Sequence, residues 1–255
     1  MSPEIITSRD NALVKKLRAL AHDTAAYRKL GQVWLEGDHL CRALLARGLQ
    51  PQAVVCAQSA QAQVAQWALD PGVRRVVLAD GLMAQISALD SPAAMGFVHA
   101  LPAATGLAPD APTVVLDRLQ DPGNVGSILR SAAAMGFQQV LALKGSAALW
   151  SPKVLRAGMG AHFALRLHEG LAESELDALA LPLLATSSHL GDFLHRAELP
   201  WPCAWLFGHE GQGVGEALLA RAQRTVRITQ PGGEESLNVA AAAAICLHAS
   251  AAQRG

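Results

Sequence analysis

The chain has 255 residues, 51% hydrophobic and 16% charged, and its 21 Lys and Arg against 21 Asp and Glu leave no net charge. That length can bury the core of one large domain or two modest ones. No run approaches the ~18 apolar residues of a membrane span, and no global charge announces a nucleic-acid partner. Cys41, Cys56, Cys203 and Cys246 are scattered without a CxxC, so they read as reduced core thiols in a cytoplasm and suggest no zinc site. The opening MSPEIITSRDNALVKK places charges where a signal peptide has its apolar centre, so no export is expected.

Charge is concentrated locally. Residues 1 to 30 hold Arg9, Lys15, Lys16, Arg18, Arg28 and Lys29 against Glu4, Asp10 and Asp23. Residues 118 to 166 hold Arg118, Arg130, Lys144, Lys153, Arg156 and Arg166 against Asp121 alone. Each segment is either a solvated face or part of a phosphate-binding surface. Asn11 to Ala21 reads as an amphipathic helix, with Leu13, Leu17 and Leu20 on one side and Lys15, Lys16 and Arg18 elsewhere. Beyond it, strands at 32 to 35, 53 to 56, 74 to 78 and 95 to 99 alternate with helices at 38 to 46, 60 to 69 and 82 to 88, the pattern of a small α/β domain. LPAATGLAPDAP, residues 101 to 112, has three prolines and no basic residue and reads as a linker. This gives domains at 1 to 100 and 113 to 255.

The second part opens with a buried strand at 113 to 116, followed by DRLQDPGNVG and a helix at 128 to 135. Neither GxGxxG nor a Walker lysine is present, which argues against a nicotinamide dehydrogenase. The turn instead offers the Asn124 amide and, further along, the Arg130 guanidinium, both directed at the strand-end crevice if the helix begins near Val125. After a strand at 138 to 143, Ser151 and Pro152 have the types expected at an N-cap and first helical position, with Lys153 and Arg156 three apart on one face. A helix at 173 to 179 and strands at 183 to 186 and 203 to 207 follow. The last strand runs into GHEGQGVG, whose glycines permit close backbone approach and whose Glu210 is the ionised side chain; His209-Glu210 is not HExxH, so a zinc peptidase is excluded. Finally, a strand at 225 to 229 runs through Pro231-Gly232-Gly233 and Glu234-Glu235 into a helix, with Ser236 read as its N-cap. That helix, Asn238-Val239 followed by five alanines, Ile245, Cys246 and Leu247, is too apolar to be solvated and must be buried.

DPGNVGSILRSAAAMGF, LFGHEGQGV and ITQPGGEESLNVAAAAAICL, in that order, resemble the three motifs of the SpoU (TrmH-like) branch of the SPOUT RNA methyltransferases. The resemblance spans most of residues 113 to 249. The segments ITSRDNALVKKLRAL and WLEGDHLCRALLARG more loosely resemble the ribosomal-protein-like substrate-binding domain of rRNA-modifying members. Thr229 departs from the proline frequent after the motif isoleucine, without altering the spacing from Ile228 to Ser236.

The resemblance implies an α/β fold whose C-terminal domain is a trefoil-knotted parallel sheet, against the usual absence of knots. It also implies a homodimer, S-adenosylmethionine as donor, and methyl transfer to a ribose 2′-oxygen of structured RNA, with 23S rRNA preferred to tRNA. Backbone groups at Gly208, Ile228 and Leu237 would hold the adenosyl moiety. Asn124, Glu210, Ser236 and Asn238 would arrange the catalytic pocket. Arg130 resembles the family's proposed base, but an arginine side chain hardly deprotonates, and phosphate binding and alkoxide stabilisation suit it better. Lys15, Lys16, Arg18, Lys153 and Arg156 are the candidate RNA contacts. The competing class is a catalytically silent RNA-binding protein on the same fold, against which the intact motif set argues.

Overall fold

The computed structural model describes residues 4–232 and 236–254, so Gly233, Glu234 and Glu235 of the expected glycine-acidic loop lie outside the described residues. The chain forms two compact units. One comprises Met1–Ala103 with Trp150–Phe163, the other Ala104–Leu149 with Ala164–Gly255. The segment 150 to 163, read above as part of the second domain, therefore packs with the first.

The first unit runs β1 (Glu4–Ile6), α1 (Ala12–His22), α2 (Ala26–Leu30), β2 (Gln32–Glu36), α3 (Asp38–Leu45), β3 (Ala53–Ala57), α4 (Gln61–Val64), β4 (Arg74–Leu78), α5 (Asp80–Ala84) and β5 (Met95–Ala100). Its sheet order is β1-β4-β3-β5-β2, parallel from β1 to β3 and antiparallel where β5 meets β3 and β2. The expected alternation is present, with β1 and α2 added. The helix expected at 60 to 69 reaches only Val64, and the one expected at 82 to 88 is shifted to 80 to 84. Helix α1 is amphipathic, with Val14, Leu17, Leu20 and Ala21 buried and the Asn11 side chain accepting from the Leu13 N–H at 2.8 Å.

The second unit begins with β6 (Thr113–Asp117), α6 (Pro122–Ala134) and β7 (Gln139–Leu143). Helix α7 (Pro152–Gly158) belongs to the first unit. Ser151 and Pro152 stand at its N-cap and first positions as expected, although the serine side chain makes no capping bond. Then come β8 (Arg166–Leu171), β9 (Leu183–Thr186), β10 (Asp192–Phe193), β11 (Ala204–Gly208), α8 (Glu216–Arg221), β12 (Arg224–Arg227) and α9 (Val239–Ala252). Residues 173 to 178 form 3₁₀ turns rather than an α-helix. Every pairing in this seven-stranded sheet is parallel, in the order β10-β12-β9-β11-β6-β7-β8. A parallel sheet is covered on both faces, so its central strands read as continuous apolar runs, and β6, β7 and β11 are buried throughout.

One face packs Val115, Leu141, Leu183, Ala185 and Leu206 against Leu176 and Leu218. On β11 the alternate residues Trp205 and Phe207 stack 6.0 Å apart, and the Trp205 Nε1–H donates to Ser250 Oγ of α9 at 2.9 Å. That bond satisfies two groups the core would otherwise strand. Helix α9 buries Ala243, Cys246, Leu247 and Ser250, while Ile245 remains 41% exposed. Burial of this apolar helix is thus incomplete within one chain.

Candidate active site

The carboxyl ends of β6, β9, β11 and β12 bring the three motifs together, as expected where a parallel sheet offers its strand-end crevice. Helix α6 begins at Pro122, with Asp121 as N-cap accepting from the Asn124 N–H at 2.7 Å. This corrects the expected start near Val125. The signal was available, since Asp121-Pro122 is the same cap-and-proline pattern read at Ser151-Pro152.

The earlier start decides where the two α6 candidates point. Asn124, in the first turn, donates from Nδ2 to Glu210 Oε1 at 3.3 Å. Its Oδ1 accepts from Asn238 Nδ2 at 2.9 Å. Arg130 follows six residues later, about 120° around the helix from Asn124 at 3.6 residues per turn. It is exposed and makes no hydrogen bond or ion pair with another described residue. The structure does not bring Arg130 to Asn124 and Glu210 within one chain.

Glu210 also accepts from the backbone N–H groups of Asp121 at 3.2 Å and Gln120 at 3.4 Å. A carboxylate here occupies the positive end of α6. Burial pushes its pKa up, but hydrogen bonds from its own N–H, the Asp121 N–H, the Asn124 amide and the Gln120 N–H outweigh this and leave it below the ordinary glutamate value. Glu210 is therefore a fixed anion at neutral pH.

Asn238, rather than Ser236, is the N-cap of α9, its Oδ1 accepting from Ala240 and Ala241 N–H at 2.9 and 3.3 Å. Ser236, exposed and two residues earlier, lines a cavity of ≈ 510 Å³ together with Gly208, Glu210, Ile228 and Leu237. The wall is completed by the segment after β9, Thr186 to His189, and by Val214, Leu219, Val226 and Gln230. Asn124, Arg130 and Asn238 stand outside the lining.

Gly208 has a reason the sequence did not show. A Cβ there would lie 2.1 Å from Gly213 C and Val214 N, so the loop closes back on its own strand end and leaves no room for a side chain. The turn is pinned by Gly213 N–H donating to the His209 carbonyl at 2.8 Å. Asp117 was also missed. It is buried, accepts Arg118 Nε at 2.8 Å and the Gly215 N–H at 2.8 Å, and so ties β6 to the glycine loop. A lone acid ending the apolar run TVVLD was the available signal.

The five candidate RNA contacts lie in the first unit. Lys15 pairs with Asp10 at 3.3 Å, Lys16 Nζ donates to Gln32 at 2.7 Å, and Arg18 donates to the carbonyl and side chain of Gln85. Burial and the neighbouring Arg74 lower the Lys16 pKa. Lys153 is exposed, and Arg156 borders a small cleft beside Glu36 and Trp34. All four cysteines are buried free thiols, and burial raises each pKa, to about 11 for Cys203 and about 12 for Cys246.

The SpoU rRNA Methylase family model matches residues 111–248, spanning the whole constellation. The chain belongs to this SpoU family. Among its SpoU-type relatives is an uncharacterized tRNA/rRNA methyltransferase of Synechocystis sp., 33% identical over 98% of this chain and 94% of the relative. The 23S rRNA (guanosine(2553)-2'-O)-methyltransferase RlmP of Bacillus subtilis is 28% identical over 95% and 97%. A crystal structure of an AdoMet-bound rRNA methyltransferase from Sinorhizobium meliloti superposes with a TM-score of 0.84 at 25% identity, covering 97% of both chains.

Proposed function

We propose that this protein transfers the methyl group of S-adenosylmethionine to a ribose 2′-hydroxyl of structured RNA, 23S rRNA in preference to tRNA. The observation that carries the reading is the cavity itself. Gly208, Ile228 and Leu237, from three separate segments and each expected at the cofactor, line the same ≈ 510 Å³ space, a size suited to a nucleoside-bearing ligand. Its composition fits the cofactor too, with Val214, Leu219, Val226 and Ile228 for a flat base and Glu210 for a cationic end. The similarity to RlmP supports 23S rRNA as the substrate.

When bound, S-adenosylmethionine supplies a sulfonium-activated methyl group. The chain's own task is to bring the weak 2′-hydroxyl nucleophile into line with it. Asn124 is held at both ends, by Glu210 and by Asn238, so its amide has one orientation. Glu210 is too well solvated by N–H donors to be an effective base; it positions and supplies negative charge. Arg130, exposed and without a partner among the described residues, takes a phosphate of the substrate, and the hydroxyl proton passes to water as the oxygen–methyl bond forms.

The reading includes a homodimer. Helices α6 and α9 lie side by side and leave exposed one continuous stripe each, Gly123, Ser127, Arg130 and Ala134 on the first and Ala241, Ile245, His248 and Ala252 on the second. A helix this rich in alanine and other apolar residues is stable only when covered, and a second copy covers α9 while carrying Arg130 toward the reacting nucleotide. A trefoil knot in the C-terminal sheet, RNA binding by the first unit through Lys15, Lys16, Arg18, Lys153 and Arg156, and a cytoplasmic location complete the proposal. No helix among the described residues is long and apolar enough to cross a membrane.

The test is incubation of the full chain with methyl-labelled S-adenosylmethionine and unmodified 23S rRNA or tRNA, followed by nuclease mapping. Label in a 2′-O-methylnucleotide of 23S rRNA is expected. Cofactor binding without transfer to any RNA would leave a silent RNA-binding protein.

A further inference from the structure

We infer that Gln230 reads the adenine edge of the cofactor, its Oε1 accepting a hydrogen bond from the 6-amino group. The inference rests on the S-adenosylmethionine reading above and adds a residue that the motif comparison does not assign. Gln230 follows β12 by three residues and lines the ≈ 510 Å³ cavity. Its Oε1 is shielded from solvent and has no hydrogen-bond partner among the described residues. Buried side-chain oxygens nearly always have a donor, so an orphan acceptor in a cavity wall is matched by the ligand that fills the cavity.

Two features of the wall choose which part of the ligand that is. The cationic portions of S-adenosylmethionine are served by Glu210, the carboxylate among the described lining residues. Gln230 carries no charge and stands in the lining with Val214, Leu219, Val226 and Ile228, which suit the two faces of a base. A carboxamide offers an acceptor and a donor side by side, the complement of adenine's amino group and adjacent ring nitrogen, and the pairing by which glutamine reads adenine in nucleic acids. A leucine or methionine at 230 would fill the same space without that selectivity.

The experiment is calorimetric binding of S-adenosylhomocysteine and of its 6-deamino analogue, in which hydrogen replaces the amino group, to the full chain and to Gln230→Leu and Gln230→Met. The wild-type protein should bind the deamino analogue about tenfold more weakly, the cost of leaving one buried acceptor unpaired. Both variants should bind the two ligands within about twofold of each other, a ratio that simple loss of stability would not change. Gln230→Met keeps the side-chain length and serves if the leucine variant does not fold. Equal wild-type affinities, or a preference that persists in the folded variant, would overturn the assignment while leaving the cofactor reading intact. Absence of wild-type binding to either ligand would overturn the cofactor reading, and this assignment with it.

Discussion

Asn238 Nδ2 donates to Asn124 Oδ1 at 2.9 Å across 114 positions of sequence. The same Asn238 caps α9 through its Oδ1, and the same Asn124 holds Glu210 through its Nδ2. Two amides thereby link the first turns of two helices to the loop after β11. Neither amide can rotate without losing a bond.

The two duties of Asn238 separate under substitution. Asn238→Ala should lose about 1 kcal/mol of stability with the cap and reduce methyl transfer. Asn238→Ser keeps a good cap, so its urea midpoint should stay near wild type. It removes the donor to Asn124, and turnover should fall about tenfold or more as one oriented hydrogen bond disappears. Wild-type turnover in the serine variant would reduce Asn238 to a helix cap.

Glu210 predicts an acid limb. Its folded pKa is lowered below that of the unfolded chain, so its stabilising contribution is fully present above the ordinary glutamate value of about 4.3. It is lost as pH falls through the lowered folded value. Melting temperatures of wild type and Glu210→Gln should differ by a constant amount from pH 6 upward and converge below about pH 4. A gap that widens on acidification would contradict the assigned direction.

Arg130→Ala should leave stability within about 0.5 kcal/mol, as expected for an exposed side chain without a partner among the described residues. Calorimetric affinity for the cofactor should hold as well, because Arg130 does not line the cavity. Single-turnover methyl transfer should drop about a hundredfold if its guanidinium meets developing charge. Arg130→Lys should also be impaired, since lysine lacks the planar fork that holds a phosphate bidentately. Near-wild-type rates in either variant would remove Arg130 from the site.

Lys15→Glu with Lys16→Glu tests the first unit. For every RNA phosphate that the variant no longer neutralises, the plot of log affinity against log salt should flatten by about 0.7–0.9, while cofactor affinity stays unchanged. The two residues are not equivalent. Lys15 sits in an open ion pair with Asp10, which contributes little and exchanges readily for a phosphate, whereas Lys16 is committed to Gln32. Most of the change should therefore follow Lys15→Glu alone, and filter binding over a salt series checks this. An unchanged slope in the double variant would return the basic face to ordinary solvated surface.

The composition and periodicity of the chain were enough to establish the α/β class, the apolar strands β6, β7 and β11, and the amphipathic α1, because burial on one or both faces selects residue types locally. Three separated motifs named the residues that would meet, since Asn124, Glu210 and Asn238 each follow a strand end or open a helix. What was not legible in the sequence depends on interactions made across the fold. The start of α6 turned on Asp121 capping Asn124, and Arg130, six residues further on, does not line the cavity. Gly208 is required by the backbone of Gly213 and Val214 folding over it, a clash visible only once the loop has closed. Segment 150 to 163 has the composition of its sequence neighbours, yet packs with the other unit, because side-chain chemistry specifies that a surface be buried and only the folded chain supplies the surface that buries it.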